Sequence, residues 1–355
     1  MLFLIIVFSS LSLTAAQEVD KAIWEKALEI HKEAIVIDTH AHGLVLKKGK
    51  DCEQEKNSSQ IDIVSMKEGG IDAVFFSLPT EGSPDEKISK TILRSAAFVR
   101  DQLKKHADIA ELALDADDIL RIQNSGKRAV LLSLEYFKGF LEGNAKTLEL
   151  YFEHGLRMIT LVHTKTDKIA DTDSDNSGES GISAFGREVV RNMNRLGMVI
   201  DITHLRDQMQ RDIIRESRVP VIASHSNTRC LHNISRNIPD DILKRIAGKG
   251  GAIMVTFDSG MLSSDYLPPS KERAPVGILI DHIDHVVNLV GIDHVGIGSD
   301  FMGSGINSPK GLETAAGFPL ITYHLLKRGY TEEEIQKIMG DNLLRILKIV
   351  QDEAR

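Results

Sequence analysis

Only two cysteines, Cys52 and Cys230, occur in the 355 residues. They permit at most one disulfide, and their separation in sequence establishes none. Positive charge is also in short supply: 43 Lys and Arg against 51 Asp and Glu give a net charge of -8. Nucleic acid and anionic membranes both demand clustered positive charge, so neither is an expected partner. The C-terminal "LLRILKIVQDEAR" is amphipathic and charged and lacks the apolar tail of a lipid-anchor signal, and no lipobox cysteine lies near the start. No stable membrane anchor is expected. A glycine-rich phosphate fingerprint, an internal repeat and a dividing linker are likewise missing, which removes the main signals of a dinucleotide fold or a second domain.

The stretch "MLFLIIVFSSLSLTAA" is too short to span a bilayer and ends in small residues, so residues 1–16 read as a signal peptide cleaved after Ala16. Export to a periplasmic or extracellular space follows. Residues 17–355 read as one domain, since a chain with 42% hydrophobic residues can bury a single large core.

Short β-branched runs recur along that domain: Ala34–His40, Ile71–Pro79, Arg128–Glu135, Met158–Thr164, Met198–His204, Pro220–Ser226, Gly251–Ser259 and His294–Phe301. Each is nearly continuous in apolar residues, the pattern of parallel strands covered on both sides. The segments between them carry helix signals. Phe185, Val189, Met193 and Leu196 follow helical spacing, with Ser183 placed to cap the start and Gly197 the exit. Thr331 and Glu334 form a capping box, and Gly69-Gly70 suits a helix end before the second strand. Eight alternations of strand and helix predict an α/β protein, a (β/α)8 TIM barrel. The acidic segment Lys165–Gly181 follows the fourth strand. Asp171, Asp173 and Asp175 suggest a calcium loop, but Gly178 comes too late and Ile182 stands where a bidentate glutamate is required, so it reads as a solvated loop over the catalytic face.

Barrels of this kind place catalytic groups at the C-terminal ends of their strands. Here those ends carry His40 with His42, Glu135, His163, His204, His225 and Asp300. A single histidine at a strand end is usually a hydrogen-bonded structural group; imidazole or carboxylate at six of eight strand ends points to a metal centre. The donor set suits zinc, with manganese, cobalt or iron as alternatives. Two Zn2+ ions, with Glu135 between them, would activate a bridging water for hydrolysis, and His163 would stabilise the oxyanion.

The stretches "GISAFGREVVRNMNRLGMVIDITHL", "VPVIASHSNTRCLHNISRNIPDDIL", "HVGIGSDFMG" and "NLLRIL" make the chain resemble the membrane (renal) dipeptidase family, zinc-dependent peptidases among the amidohydrolase-like barrels. The resemblance covers nearly the whole mature chain. It implies a dipeptidase acting on a dipeptide or related small amide, and a homodimer. It implies His40 on one zinc, Glu135 bridging, His204 and His225 on the other, and His163 at the scissile carbonyl. Arg236 would receive the substrate carboxylate, and Asp300 would transfer the proton. Two positions depart from the family pattern. His42 stands where an aspartate is usual, replacing an anionic ligand with a neutral one, and Asp258 stands where relatives place a tyrosine, close enough to repel a free C-terminus. Two alternatives accompany the dipeptidase reading: a TatD-like phosphodiesterase, which shares the Asp-Thr-His-x-His opening but calls for a basic footprint, and a catalytically silent barrel acting as a binding protein.

Overall fold

The computed structural model describes residues 20–42, 60–79, 87–135, 139–162, 181–266, 272–303 and 307–354. The expected leader, Cys52, His163 and nearly all of the segment Lys165–Gly181 lie outside the described residues. Nine strands are described: β1 (Ile37–Ala41), β2 (Ala73–Ser77), β3 (Ala110–Leu112), β4 (Arg128–Glu135), β5 (Leu156–Thr160), β6 (Val199–Asp201), β7 (Ile222–Ser226), β8 (Ala252–Val255) and β9 (Val295–Ile297). All pair in parallel, in the order β1-β2-β4-β5-β6-β7-β8-β9. The ends of that row meet: Asp300 N donates to the carbonyl of His40 at 2.9 Å, and His42 N to that of Phe301 at 3.0 Å. The result is a nearly closed eight-stranded (β/α)8 barrel.

The ninth strand was not expected. β3 is three residues long, pairs only with β4, and lies off the ring, so the barrel count stays at eight. Its central Glu111 is neutralised by Lys127 at 2.6 Å and Arg121 at 2.9 Å. So short a segment with a charge at its centre carries no strand period.

Alternation along each strand sorts the core into two layers. Ile37, Phe75, Leu131, Met158, Val199, Ile222 and Met254 form one cluster, on which Ile346 and Val350 of the C-terminal helix Asn342–Asp352 pack. Their sequence neighbours Val74, Val130, Ile159, Ile200, Ala223 and Ile253 belong to a second cluster shared with the surrounding helices. The helix signals act as expected. Ser183 accepts from Gly186 N at 2.8 Å and Gly197 ends that helix at φ 72°, while Thr331 and Glu334 close a reciprocal capping box.

Several strands stop short of their expected ends, and they do so where site residues begin. His204 and Asp300 both have positive φ, 68° and 60°, a conformation that leaves the ladder and is strained for residues other than glycine. Register shifts interrupt β1 between Asp38 and Ala41 and β7 between Ala223 and Ser226. His40 and His225 sit inside these irregularities, the device by which a strand re-aims a side chain beside an active site.

Candidate metal centre

Glu135, at the end of β4, is the hub of the barrel mouth. Its Oε1 lies 2.9 Å from His204 Nε2 and 3.3 Å from His225 Nε2. Its Oε2 lies 3.3 Å from His42 Nε2 and 3.7 Å from His40 Nε2. Within each histidine pair the two Nε2 atoms stand 3.1 Å apart. Two donors on one tetrahedral ion, each about 2.0–2.2 Å from it, stand roughly 3.3–3.6 Å apart, so both pairs are close to the spacing that shared ligation demands. Asp300 Oδ1 completes the ring, 3.6 Å from His42 Nε2 and 3.8 Å from His40 Nε2. His40–His42–Glu135, Glu135–His204–His225 and His40–His225–Asp300 each converge with their ligand atoms within 4.8 Å of one another.

The electrostatics are those of a site that needs cations. Burial alone would push the Glu135 carboxyl up, but His204, His225, His40 and His42 hold it well below the usual range. Burial likewise opposes ionisation of Asp300, and His225, His42 and His40 reverse this and hold it at about 2. Burial disfavours protonated His42, yet the Asp300 and Glu135 carboxylates that face its ring N–H raise it to about 10. A proton on His42 thus serves the two carboxylates in the metal-free chain, and metal uptake must release it. His204 and His225 are pushed down, by burial first and then by Arg236 and His40 respectively. They are therefore neutral imidazoles, the form that ligates a metal. The donor set fits a divalent metal pair.

The groups that orient these candidate ligands were not expected from the sequence. Asp201, fully buried at the end of β6, accepts from Thr203 N and Oγ1 (3.0 and 2.6 Å), from Ser224 N and Oγ (2.9 and 2.6 Å) and from the Thr160 hydroxyl. Ser224 Oγ, its proton committed to Asp201, lies 2.8 Å from His225 Nδ1 and so accepts that N–H. This fixes the tautomer that turns the His225 Nε2 lone pair toward the centre. Asp38 instead pins the backbone at His40, accepting from His40 N at 3.3 Å and from Ser299 N and Oγ at 2.8 and 2.5 Å; burial raises it to about 6 despite those bonds. His40 differs from His225, since its Nδ1 has no hydrogen-bond partner among the described residues and its ring packs against that of His225 at 4.0 Å between centroids. A signal was available: "VIDTH" and "IDITH" each bury an aspartate in an apolar strand just before a candidate ligand histidine, and a buried carboxylate must find donors. Gly298 belongs to the same scaffold, because a Cβ there would stand 1.8 Å from the Ser224 carbonyl oxygen.

Asp201→Ala would leave five donors facing an apolar gap. Its expected cost is at least about 3 kcal/mol, since each stranded buried donor costs roughly 1–3 kcal/mol. Urea unfolding of the metal-free protein measures this, and a change below about 1 kcal/mol would show that the network is dispensable.

Two further residues named from the sequence reach the same mouth. Arg236 Nη2 lies 3.3 Å from His204 Nε2. Asp258 accepts from Gly260 N at 2.9 Å, capping the short helix Ser259–Leu262; burial and the nearby Asp300 push its carboxyl up and Arg236 pulls it down. His163 lies outside the described residues.

The family model for membrane dipeptidases (peptidase family M19) matches residues 24–355. Dipeptidase tcpJ of Claviceps purpurea is 34% identical over 307 residues, covering 84% of this chain and 71% of that protein. Dipeptidase 3 of Rattus norvegicus is 30% identical over 346 residues, covering 94% and 68%. Among solved structures, the probable dipeptidase PvdM from Pseudomonas aeruginosa superposes with a TM-score of 0.83 at 22% identity, covering 94% of this chain and 99% of that one. A metallo peptidase from Rhodobacter sphaeroides, solved with a phosphinate mimic of the dipeptide L-Ala-D-Ala, gives 0.78 at 22% identity, covering 89% and 99%.

Proposed function

Because the chain belongs to the membrane dipeptidase family, peptidase family M19, and is a metal-dependent peptide-bond hydrolase, we propose that it cleaves dipeptides at the barrel mouth with two zinc ions held on either side of Glu135. The observation that carries this reading is the division of one carboxylate between two histidine pairs, His40 with His42 and His204 with His225. Bound there, the metal pair would acidify the attacking water and polarise the scissile carbonyl.

The chain's own residues supply the rest. Arg236 offers a planar, permanently charged fork for the substrate carboxylate, beside the His204 end of the site. Asp300, kept ionised among three histidines, accepts the proton of the attacking water at Oδ1 and returns it to the leaving amine. His163 is proposed to contact the carbonyl oxygen on the strength of its motif "TLVHT". His42 takes the position usual for an aspartate; its Nε2 lies as close to Glu135 as that of His225, which supports ligation by imidazole here. Asp258 lies within electrostatic reach of Arg236 and Asp300, and the guanidinium of Arg236 offsets part of its repulsion of a substrate C-terminus. Export is proposed on the leader-like residues 1–16 alone, and a homodimer on the family resemblance. Among the described residues no helix is long and apolar enough to cross a membrane.

The test is hydrolysis of L,L- and L,D-dipeptides by the zinc-loaded protein against a chelated control. The L,D members are included because a neighbour of the same fold accepts an L-Ala-D-Ala mimic. Zinc-dependent cleavage is expected. Arg236→Ala should lower kcat/KM for free dipeptides about 100-fold, mainly through KM, and leave C-terminally amidated analogues almost unchanged. Equal loss on both substrates would remove Arg236 from carboxylate recognition, and turnover that survives chelation would remove the metals from the reaction.

A further inference from the structure

Cys230, Asp240 and His285 take no part in the barrel-mouth site, yet their ligand atoms all lie within 4.8 Å of one another. They come from three separate elements. Cys230 is an exposed free thiol in the turn after β7, Asp240 opens the helix Asp240–Gly248, and His285 lies within the helix Val276–Val290. His285 Nε2 is 2.9 Å from Asp240 Oδ1. The adjacent Asp241 is taken by Arg211 at 2.9 Å, and Asp207 by Arg229 at 2.6 Å. Among the described residues no lysine or arginine pairs with Asp240, so this one carboxylate is left to an imidazole beside a thiol.

We propose that Cys230, Asp240 and His285 form a second, separate cation site for a zinc-class ion, with the thiolate, imidazole and carboxylate as three protein ligands and a fourth position open to water. A thiolate with an imidazole selects a borderline-soft divalent ion, whereas calcium and magnesium require six or more oxygen donors that these residues do not provide. Entry of the ion displaces the thiol proton, and the imidazole must carry its N–H on Nδ1 so that the Nε2 lone pair, now turned toward Asp240 Oδ1, meets the ion. The site also has a mechanical consequence. Residues 227–239 join β7, which carries His225, to the helix at Asp240 and include Arg236, and they are already tied down by the Arg229–Asp207 pair and by Asn237, whose amide donates to the carbonyls of His232 and Met261 at 2.9 Å each. An ion on Cys230 would join this loop to two helices at once and stiffen the segment that presents Arg236.

The experiment is peptide-mapped alkylation of Cys230, which separates it from Cys52, on full-length protein whose barrel centre has first been loaded with zinc. Added Zn2+ should slow alkylation of Cys230 about tenfold once free zinc stands about tenfold above its Kd. His285→Ala and Asp240→Ala should abolish the protection. Cys230→Ser, an exposed and nearly isosteric change, should hold one zinc fewer per chain than the wild type, and cobalt loading should give a thiolate-to-metal absorption band that this variant lacks. Alkylation at the same rate with and without zinc, equal protection in the variants, or equal metal counts in wild type and Cys230→Ser would each overturn the proposal. If His285→Ala does not fold, the metal count and the cobalt band of Cys230→Ser decide.

Discussion

Glu135→Gln is expected to reduce dipeptide turnover by roughly a thousandfold or more and to lower bound metal by at least one ion per chain. The two carboxylate oxygens are not equivalent: one faces His204 and His225, the other His42 and His40. An amide keeps one neutral acceptor and turns an N–H2 toward the other pair, so both pairs lose their anionic partner and one loses its acceptor whichever way the side chain flips. The change also removes the charge that, with Asp300, holds a proton on His42 in the metal-free chain. Steady-state kinetics together with elemental analysis of metal per chain would measure both effects. A variant that retains two metals and full turnover would end the view of Glu135 as the shared ligand.

Asp300→Asn is expected to lower kcat by about 10²- to 10⁴-fold while KM and metal content change little. Asp300 is held by the barrel's closing seam, where its backbone N donates to the His40 carbonyl, and by a left-handed backbone conformation that aims its carboxylate at the histidines. Asparagine keeps that shape and cannot accept the proton. Loss of a metal in this variant would make Asp300 a ligand alongside His40 and His225, and unchanged kcat would move proton transfer elsewhere.

The ligand candidates could be read from the sequence because each belongs to a local pattern: an apolar run that ends in imidazole or carboxylate. The residues that aim them were harder to see. Asp38 and Asp201 lie inside apolar runs, and their partners Ser299 and Ser224 lie 261 and 23 residues away, a pairing that no local period reports. β3 was missed for a related reason, since its three residues are a strand only because β4 offers an edge.

By itself, the sequence determined the parallel strand rhythm, the helix caps and the chemical kinds at the strand ends, because burial on both faces and the satisfaction of helix termini leave their mark on adjacent residues. Only the tertiary structure decided that Glu135 stands between two histidine pairs, that His40 and His225 are turned by irregularities in β1 and β7, and that Cys230 meets Asp240 and His285. Those outcomes depend on closing a ring of strands through hydrogen bonds between segments far apart in the chain, and distances of 3–4 Å across that ring are set by the whole barrel and by no stretch within it.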